Sequence, residues 1–529
     1  MSRIGSALAV VAALLLAGCG ADPVAEDSAD VVFVPCSEAE CTGRLPSGAD
    51  FEILMPETWN GSLALFSHGV RMPEESRRKG AAKQEAADSN GSATSVATEG
   101  PQPAAGWGAT ERNVADVLLQ AGYALAGAST GRLGWSVRAQ IEAADELHDY
   151  FVENVADPTR VYVWGESTGG LASARLAELH PEWVAGAAAL CAPMSGPLPS
   201  FDLALDAGYV VRQLLVEDSQ LVGFASYDEA LAVRNDAISA VRRAAEKDDA
   251  SRARVLFIAS VLDLPLKTAA ESGANQSSQV AAAVIGISNL LEQSTAQRYL
   301  LEQLVGGNPS GNENTDYAAR IDDERREQLN ILAPGSVEKN LERLADARVT
   351  PDSDAQSAAA VQGELVGDLK VPVLTLHNIF DPVYIVQNES WYRDRVGTFS
   401  TEIRANLVGA YAVPPDSYSV AEPAREGAGN CNFEPRTLAA ALVQLDLWVR
   451  KGQYPGRDSL AKTFDGQQVT LDYTPEPWPQ MALSPTENPL EPDPADVFPA
   501  PPVDDLGSPS PTSNSRSEAP SGSSTTKSQ

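Results

Sequence analysis

Val161-Tyr162-Val163-Trp164-Gly165-Glu166-Ser167-Thr168-Gly169-Gly170 is the stretch on which the reading of this chain turns. Four β-branched and aromatic residues lead straight into Gly-x-Ser-x-Gly, and a helical pattern follows from Thr168 to Leu179. Strand, tight turn and helix in that order build a nucleophile elbow, which lifts a serine hydroxyl to the top of a sheet. Glycines flank the serine because the turn brings backbone segments too close together for side chains. Ser167 is therefore the candidate nucleophile, and the start of its helix favours negative charge nearby.

Strand and helix patterns alternate on both sides of this turn. Phe51 to Met55, Ser62 to Ser67, Tyr123 to Ala128 and Arg160 to Trp164 read as strands, as do Ala185 to Cys191, Val371 to Leu376 and Glu402 to Tyr411. Helices fit Asn113 to Ala121, Val137 to Val155, Thr168 to Leu179 and Pro435 to Lys451. Strands separated by helices imply an α/β fold, a doubly wound and mainly parallel sheet covered on both faces. The spacing breaks once, where roughly 180 residues separate the strand ending near Cys191 from the one starting near Val371, far beyond an ordinary connection. Most of them read as helix, as at Tyr227 to Lys247, the buried Val280 to Leu291 and Val337 to Ala345. The simplest arrangement is a large helical cap over the site. Turn residues at Gly306 to Ser310 and Asn314 to Tyr317 suggest a cap loop near the pocket.

The division expected from composition is a leader over 1–18, a tether over 19–48 and two core parts over 49–204 and 366–489. Between the core parts lies the cap over 205–365, and a Pro/Ser-rich disordered tail follows over 490–529. Arg71 to Gly106 reads as a mobile surface loop. Arg3 and the apolar run Ala7 to Leu16 form a segment too short for a comfortable membrane span. It ends in Leu16-Ala17-Gly18-Cys19, which resembles the lipobox of bacterial lipoproteins. That resemblance implies cleavage before Cys19, a lipid on its thiol, and a chain held outside the cytoplasmic membrane by this anchor alone. An ordinary secretory signal is the other reading.

With 39 Lys plus Arg against 72 Asp plus Glu, the formal charge of −33 repels phosphate backbones and argues against nucleic-acid partners. Of five cysteines, removing Cys19 leaves an even number in an oxidising compartment. Cys36 with Cys41, and Cys191 with Cys431, are the candidate disulfides, with buried free thiols the alternative. No His-Glu-x-x-His, zinc-spaced cysteine set or phosphate-binding glycine loop is present in the sequence, so neither metal nor nucleotide cofactor is expected.

The Gly-Glu-Ser-x-Gly-Gly turn in this context resembles the α/β-hydrolase family, in particular extracellular bacterial esterases and tripeptidyl- or prolyl-type peptidases. The resemblance covers roughly Phe51 to Ser200 and Val366 to Pro455, leaving the cap unmatched. It implies acyl transfer through a serine ester, with a small-molecule ester or peptide as substrate. The backbone N–H of Thr168 would be one oxyanion donor, and Gly69 or Val70, in the segment after Ser67, the other. His68 reads as structural. Asp381, in Leu376-His377-Asn378-Ile379-Phe380-Asp381-Pro382, is the candidate acid; a turn aspartate before proline is the plainer alternative.

The pattern then departs from the family. The chain has four histidines, His68, His148, His180 and His377, and none follows Asp381, where Ser–Asp–His order requires the base. In Gly429-Asn430-Cys431-Asn432, before the last helix, Asn430 stands where the histidine would be. A carboxamide cannot take the serine proton at neutral pH. His377 reads as a packing residue, His148 and His180 as surface residues, and Glu166 as pointing away from the serine proton. The expectation is a serine hydrolase of doubtful catalytic power, with a degenerate, ligand-binding hydrolase fold as the alternative.

Overall fold

The computed structural model describes residues 40–73, 114–270, 275–345, 348–417, 426–464 and 468–479. Cys19, Cys36, most of the Arg71 to Gly106 loop and the tail lie outside them.

Nine strands make one sheet in the order β1-β2-β4-β3-β5-β6-β7-β8-β9. They are β1 Glu40–Arg44, β2 Asp50–Leu54, β3 Ser62–Ser67, β4 Ala124–Ser129 and β5 Arg160–Glu166, then β6 Val184–Leu190, β7 Val373–Asn378, β8 Leu407–Ala412 and β9 Val469–Thr470. Pairing is parallel from β4 through β8, while β1, β2 and β9 attach antiparallel at the edges. This order, with a helical insertion between β6 and β7, is the α/β-hydrolase fold.

The period-2 pattern of the central strands explains why both faces are covered. Leu63, Leu65, Val161 and Val163 face one way, against helices Val137–Asn154 and Thr168–Leu179. Ala64, Phe66, Tyr162 and Trp164 face the other, against helices Val114–Gln120 and Pro435–Lys451. Burying each large apolar side chain here contributes roughly 1.5–3 kcal/mol relative to exposure.

The expected strand over Glu402 to Tyr411 is shorter and later. One helical turn, Thr401–Arg404, precedes β8. Ser400 enters that turn extended and its carbonyl accepts the N–H of Arg404 at 3.0 Å, a helix start overriding a β-like composition. The short polar edge strands β1 and β9 carry no alternating pattern to reveal them.

The insertion has its own apolar core, built from helices Pro197–Leu214, Tyr227–Lys247, Asp249–Val261 and Gln276–Glu292. It leans on the loop after β7. Asn289 Nδ2 donates to the Pro382 carbonyl at 3.2 Å, Gln293 Nε2 donates to that of Val383 at 3.0 Å, and Ile385 packs into the insertion's core. The Gly306 to Tyr317 region, expected beside the pocket, is fastened to the first of these helices. Gly311 N–H donates to Asp202 at 3.0 Å, and the Tyr317 hydroxyl bonds Asp206 at 2.5 Å. Among the described residues no helix is long and apolar enough to cross a membrane.

Candidate active site

The turn after β5 has the conformation its sequence demands. Ser167 sits at φ 55°, ψ −130°, a region L-residues rarely adopt, directly before helix Thr168–Leu179. Its N–H donates to the Leu190 carbonyl at 2.9 Å, which ties the elbow to the end of β6. Gly169 is required by crowding: a Cβ there would run into the Ser67 carbonyl, and lies 2.7 Å from the His68 carbonyl oxygen. The segment after β3 passes just as close to the serine. A Cβ on Gly69 would stand 3.3 Å from Ser167 Cβ and 3.7 Å from its Oγ. Gly69 is thus beside the serine, with Val70 next in the chain. Thr168 is fully buried, and its hydroxyl has no hydrogen-bond partner among the described residues.

Asp381 is fully buried in the loop after β7. Its Oδ1 accepts from the N–H groups of Val383 at 2.8 Å and Tyr384 at 3.0 Å, and its Oδ2 accepts from Asn430 Nδ2 at 2.8 Å. Burial raises its carboxyl to about 6, against the lowering effect of His377 and these three donors. Asn430 therefore reaches the acid and satisfies it, in the manner of an orienting partner. Its loop is anchored twice. Asn378 Nδ2 donates to the Gly429 carbonyl at 2.9 Å, and Cys431 is disulfide-bonded to Cys191 with a Cα–Cα separation of 5.4 Å. Both bridged residues sit at positive φ, 43° and 46°, so the bridge also holds two unfavourable backbone conformations. Cys41 is disulfide-bonded as well, and its candidate partner Cys36 lies outside the described residues.

The phenol nearest the Ser167 side chain is one that spacing did not indicate. Tyr384 lies close enough for the serine hydroxyl to lower its phenol, while burial, the larger effect, pushes it up to about 12. At neutral pH it stays protonated and takes no proton from the serine. Only its place three residues after Asp381 could have drawn attention to it.

His377 is fully buried, with Nδ1 3.1 Å from Glu389 Oε1 and Nε2 2.8 Å from the Tyr384 carbonyl. A carbonyl can only accept, so Nε2 carries a proton; the carboxylate on the other side draws a second. Burial opposes the charge, yet Glu389 and then Asp381 raise the imidazole above its ordinary value. With both nitrogens engaged it acts as a strut between β7 and the acid loop. His148 and His180 stack on Trp183, at 4.3 and 5.4 Å between ring centroids, and His68 is buried with Nδ1 2.7 Å from the Gly69 carbonyl. Burial lifts the carboxyl of Glu166, next to the serine, to about 8. Among the described residues no group of three or more His, Cys, Asp and Glu is placed to hold a metal.

Fold and site together define a chain of α/β-hydrolase architecture carrying a serine elbow, a buried acid in the loop after β7, and an amide against that acid. Comparison with known proteins finds no matching family model and no matching curated protein. Solved structures similar to it include an esterase from Aspergillus oryzae, at TM-score 0.35 and 14% identity over 79% of this chain and 80% of that one. Proline iminopeptidase of Mycobacterium smegmatis gives 0.33 and 14%, over 78% and 100%. The rice cell wall degrading esterase LipA of Xanthomonas oryzae gives 0.30 and 12%, over 70% and 81%.

Proposed function

We propose that this chain is a serine hydrolase directed at an ester or peptide, with Ser167 as the acyl-accepting nucleophile and Asn430 standing in the place of the base. The observation that carries this reading is the 2.8 Å bond from Asn430 to Asp381. The acid keeps the partner that should orient a proton acceptor, and the partner is a carboxamide. Ser167 Oγ would attack the substrate carbonyl carbon, with the N–H groups of Thr168 and of Gly69 or Val70 receiving the oxyanion. The proton leaving Oγ then has no imidazole to go to. Loss of a triad member costs on the order of a millionfold in turnover, while oxyanion stabilisation and binding retain roughly a thousandfold over water.

The second reading is a ligand-binding protein without turnover, and the carboxamide held against Asp381 favours it, because it cannot take the serine proton. A fluorophosphonate label separates the two. The first reading expects slow labelling of the native chain, none in Ser167→Ala, and a rate higher by roughly 10²–10⁴ in Asn430→His, the range general-base catalysis supplies. Absence of label in both the native chain and Asn430→His supports the binding reading. Native labelling as fast as that of Asn430→His sinks the Asn430 argument, and label persisting in Ser167→Ala sinks the elbow. The site would work outside the cytoplasmic membrane on a lipid anchor at Cys19, a placement supported by the lipobox-like segment and tested by release of Cys19→Ala from membranes.

A further inference from the structure

A cavity of about 1030 Å³ lies away from Ser167, against strand β8. Its walls come from several segments: helix Asn388–Gly397, the turn ending at Arg404, β8 itself, Gln453 to Gly456 with helix Arg457–Thr463, and Leu471 to Tyr473. β9 pairs with β8 only at Tyr411 and Ala412, so Leu407 to Gly409 face the cavity, and among the described residues no strand covers that edge.

The electrostatics of the lining run against those of the chain. In a protein of net charge −33, four cations, Arg393, Arg404, Arg457 and Lys462, meet around one cavity. Its three acids are Glu389, Asp458 and Asp472. Two are already committed: Glu389 bonds Thr375 and His377, and Asp472 pairs with Arg457 at 2.5 Å. Asp458 is on the exposed rim. Arg393 and Lys462 make no hydrogen bond or ion pair among the described residues. Arg404 spends one terminal N–H on Thr401 at 3.1 Å, while its buried Nε has no acceptor there. A buried guanidinium N–H without an acceptor is costly, and one such group beside further cations in a concave site defines a place where an anion would be stabilised. The lining also carries an apolar and aromatic part, Val396, Leu447, Tyr454, Leu471 and Tyr473, beside the polar Gln453, Ser459 and Thr463. The volume is that of a site for a small organic molecule.

We propose that this cavity binds a small amphipathic carboxylate, its acid group held by Arg393 and Arg404 and its apolar body laid along Tyr454 and Leu471. Lys462 adds a screened charge at the mouth. The inference does not depend on turnover at Ser167, because nothing in it uses the serine.

Calorimetric titration of the full-length chain with benzoate tests it, with benzamide as the neutral isostere and inorganic phosphate as the anion lacking an apolar body. The expected result is one benzoate per chain, bound at least tenfold more tightly than benzamide or phosphate. Arg393→Gln and Arg404→Gln should each weaken it by roughly tenfold or more, the scale of a lost charge-assisted bond. Ser167→Ala should bind benzoate as the native chain does, which separates this site from the elbow. Circular dichroism checks that the arginine variants fold. If either does not, the exposed Lys462→Gln, expected to weaken benzoate by a few-fold, takes its place. No benzoate binding, equal binding of benzamide or phosphate, or unchanged affinity in the charge variants would overturn the proposal.

Discussion

Replacing Asn430 by alanine isolates the contact on which the functional reading rests. Asp381 accepts three hydrogen bonds, and the substitution removes the only one among the described residues that reaches Oδ2 within bonding distance; His377 Nε2 stands 3.8 Å away. A hydrogen bond to a buried charge contributes roughly 1.5–3 kcal/mol. At about 1.4 kcal/mol per pK unit, its loss moves Asp381 from about 6 to roughly 7–8.

The sign follows from linkage. In the native chain the folded-state value lies above the unfolded one near 3.9, so this group's contribution to stability falls as pH rises from about 4 to about 6. In Asn430→Ala the fall continues to roughly pH 7–8. The variant should therefore match the native chain near pH 5, where both hold Asp381 protonated, and be less stable by roughly 1.5–3 kcal/mol near pH 9. Urea unfolding at the two pH values measures the difference, and carboxyl carbon NMR reports the titration directly. Equal destabilisation at both values would show that Asn430 contributes packing, and the orienting role would fall.

Two further outcomes follow from the same geometry. Tyr384→Phe removes the phenol close to Ser167; combined with Asn430→His it should raise fluorophosphonate labelling above that of Asn430→His alone, because no second hydroxyl then competes for the imidazole, and an unchanged rate would count against that competition. Reducing the Cys191–Cys431 bridge should cost roughly 2–5 kcal/mol, visible as a lower melting temperature, and should raise the Asp381 midpoint as the Asn430 loop loosens; a midpoint that stays put would mean the Asn378–Gly429 bond is anchor enough.

Much of this molecule is written in short stretches of chain. Alternation over Ser62 to Ser67 and Arg160 to Trp164 sets which side chains enter each face, and the elbow at Ser167 follows from glycine placement and one strand–turn–helix sequence. Asn430 could be singled out because it stands at a fixed place before the last helix, and its expected neighbour Asp381 is the residue it touches. These features are local, or depend on chain order, and order survives in a sequence.

What the tertiary structure alone decided is the partnering of buried polar groups. Nothing in the spacing says that Tyr384 comes close to Ser167, that Glu389 on a later helix captures one nitrogen of His377 while the acid loop captures the other, or that four cations from three segments ring one cavity. Each of those outcomes needs segments brought side by side by the assembled fold, and a buried donor or acceptor bonds whatever group that assembly delivers within about 3 Å. Periodicity is a property of a segment, whereas hydrogen-bond satisfaction is a property of the assembled interior.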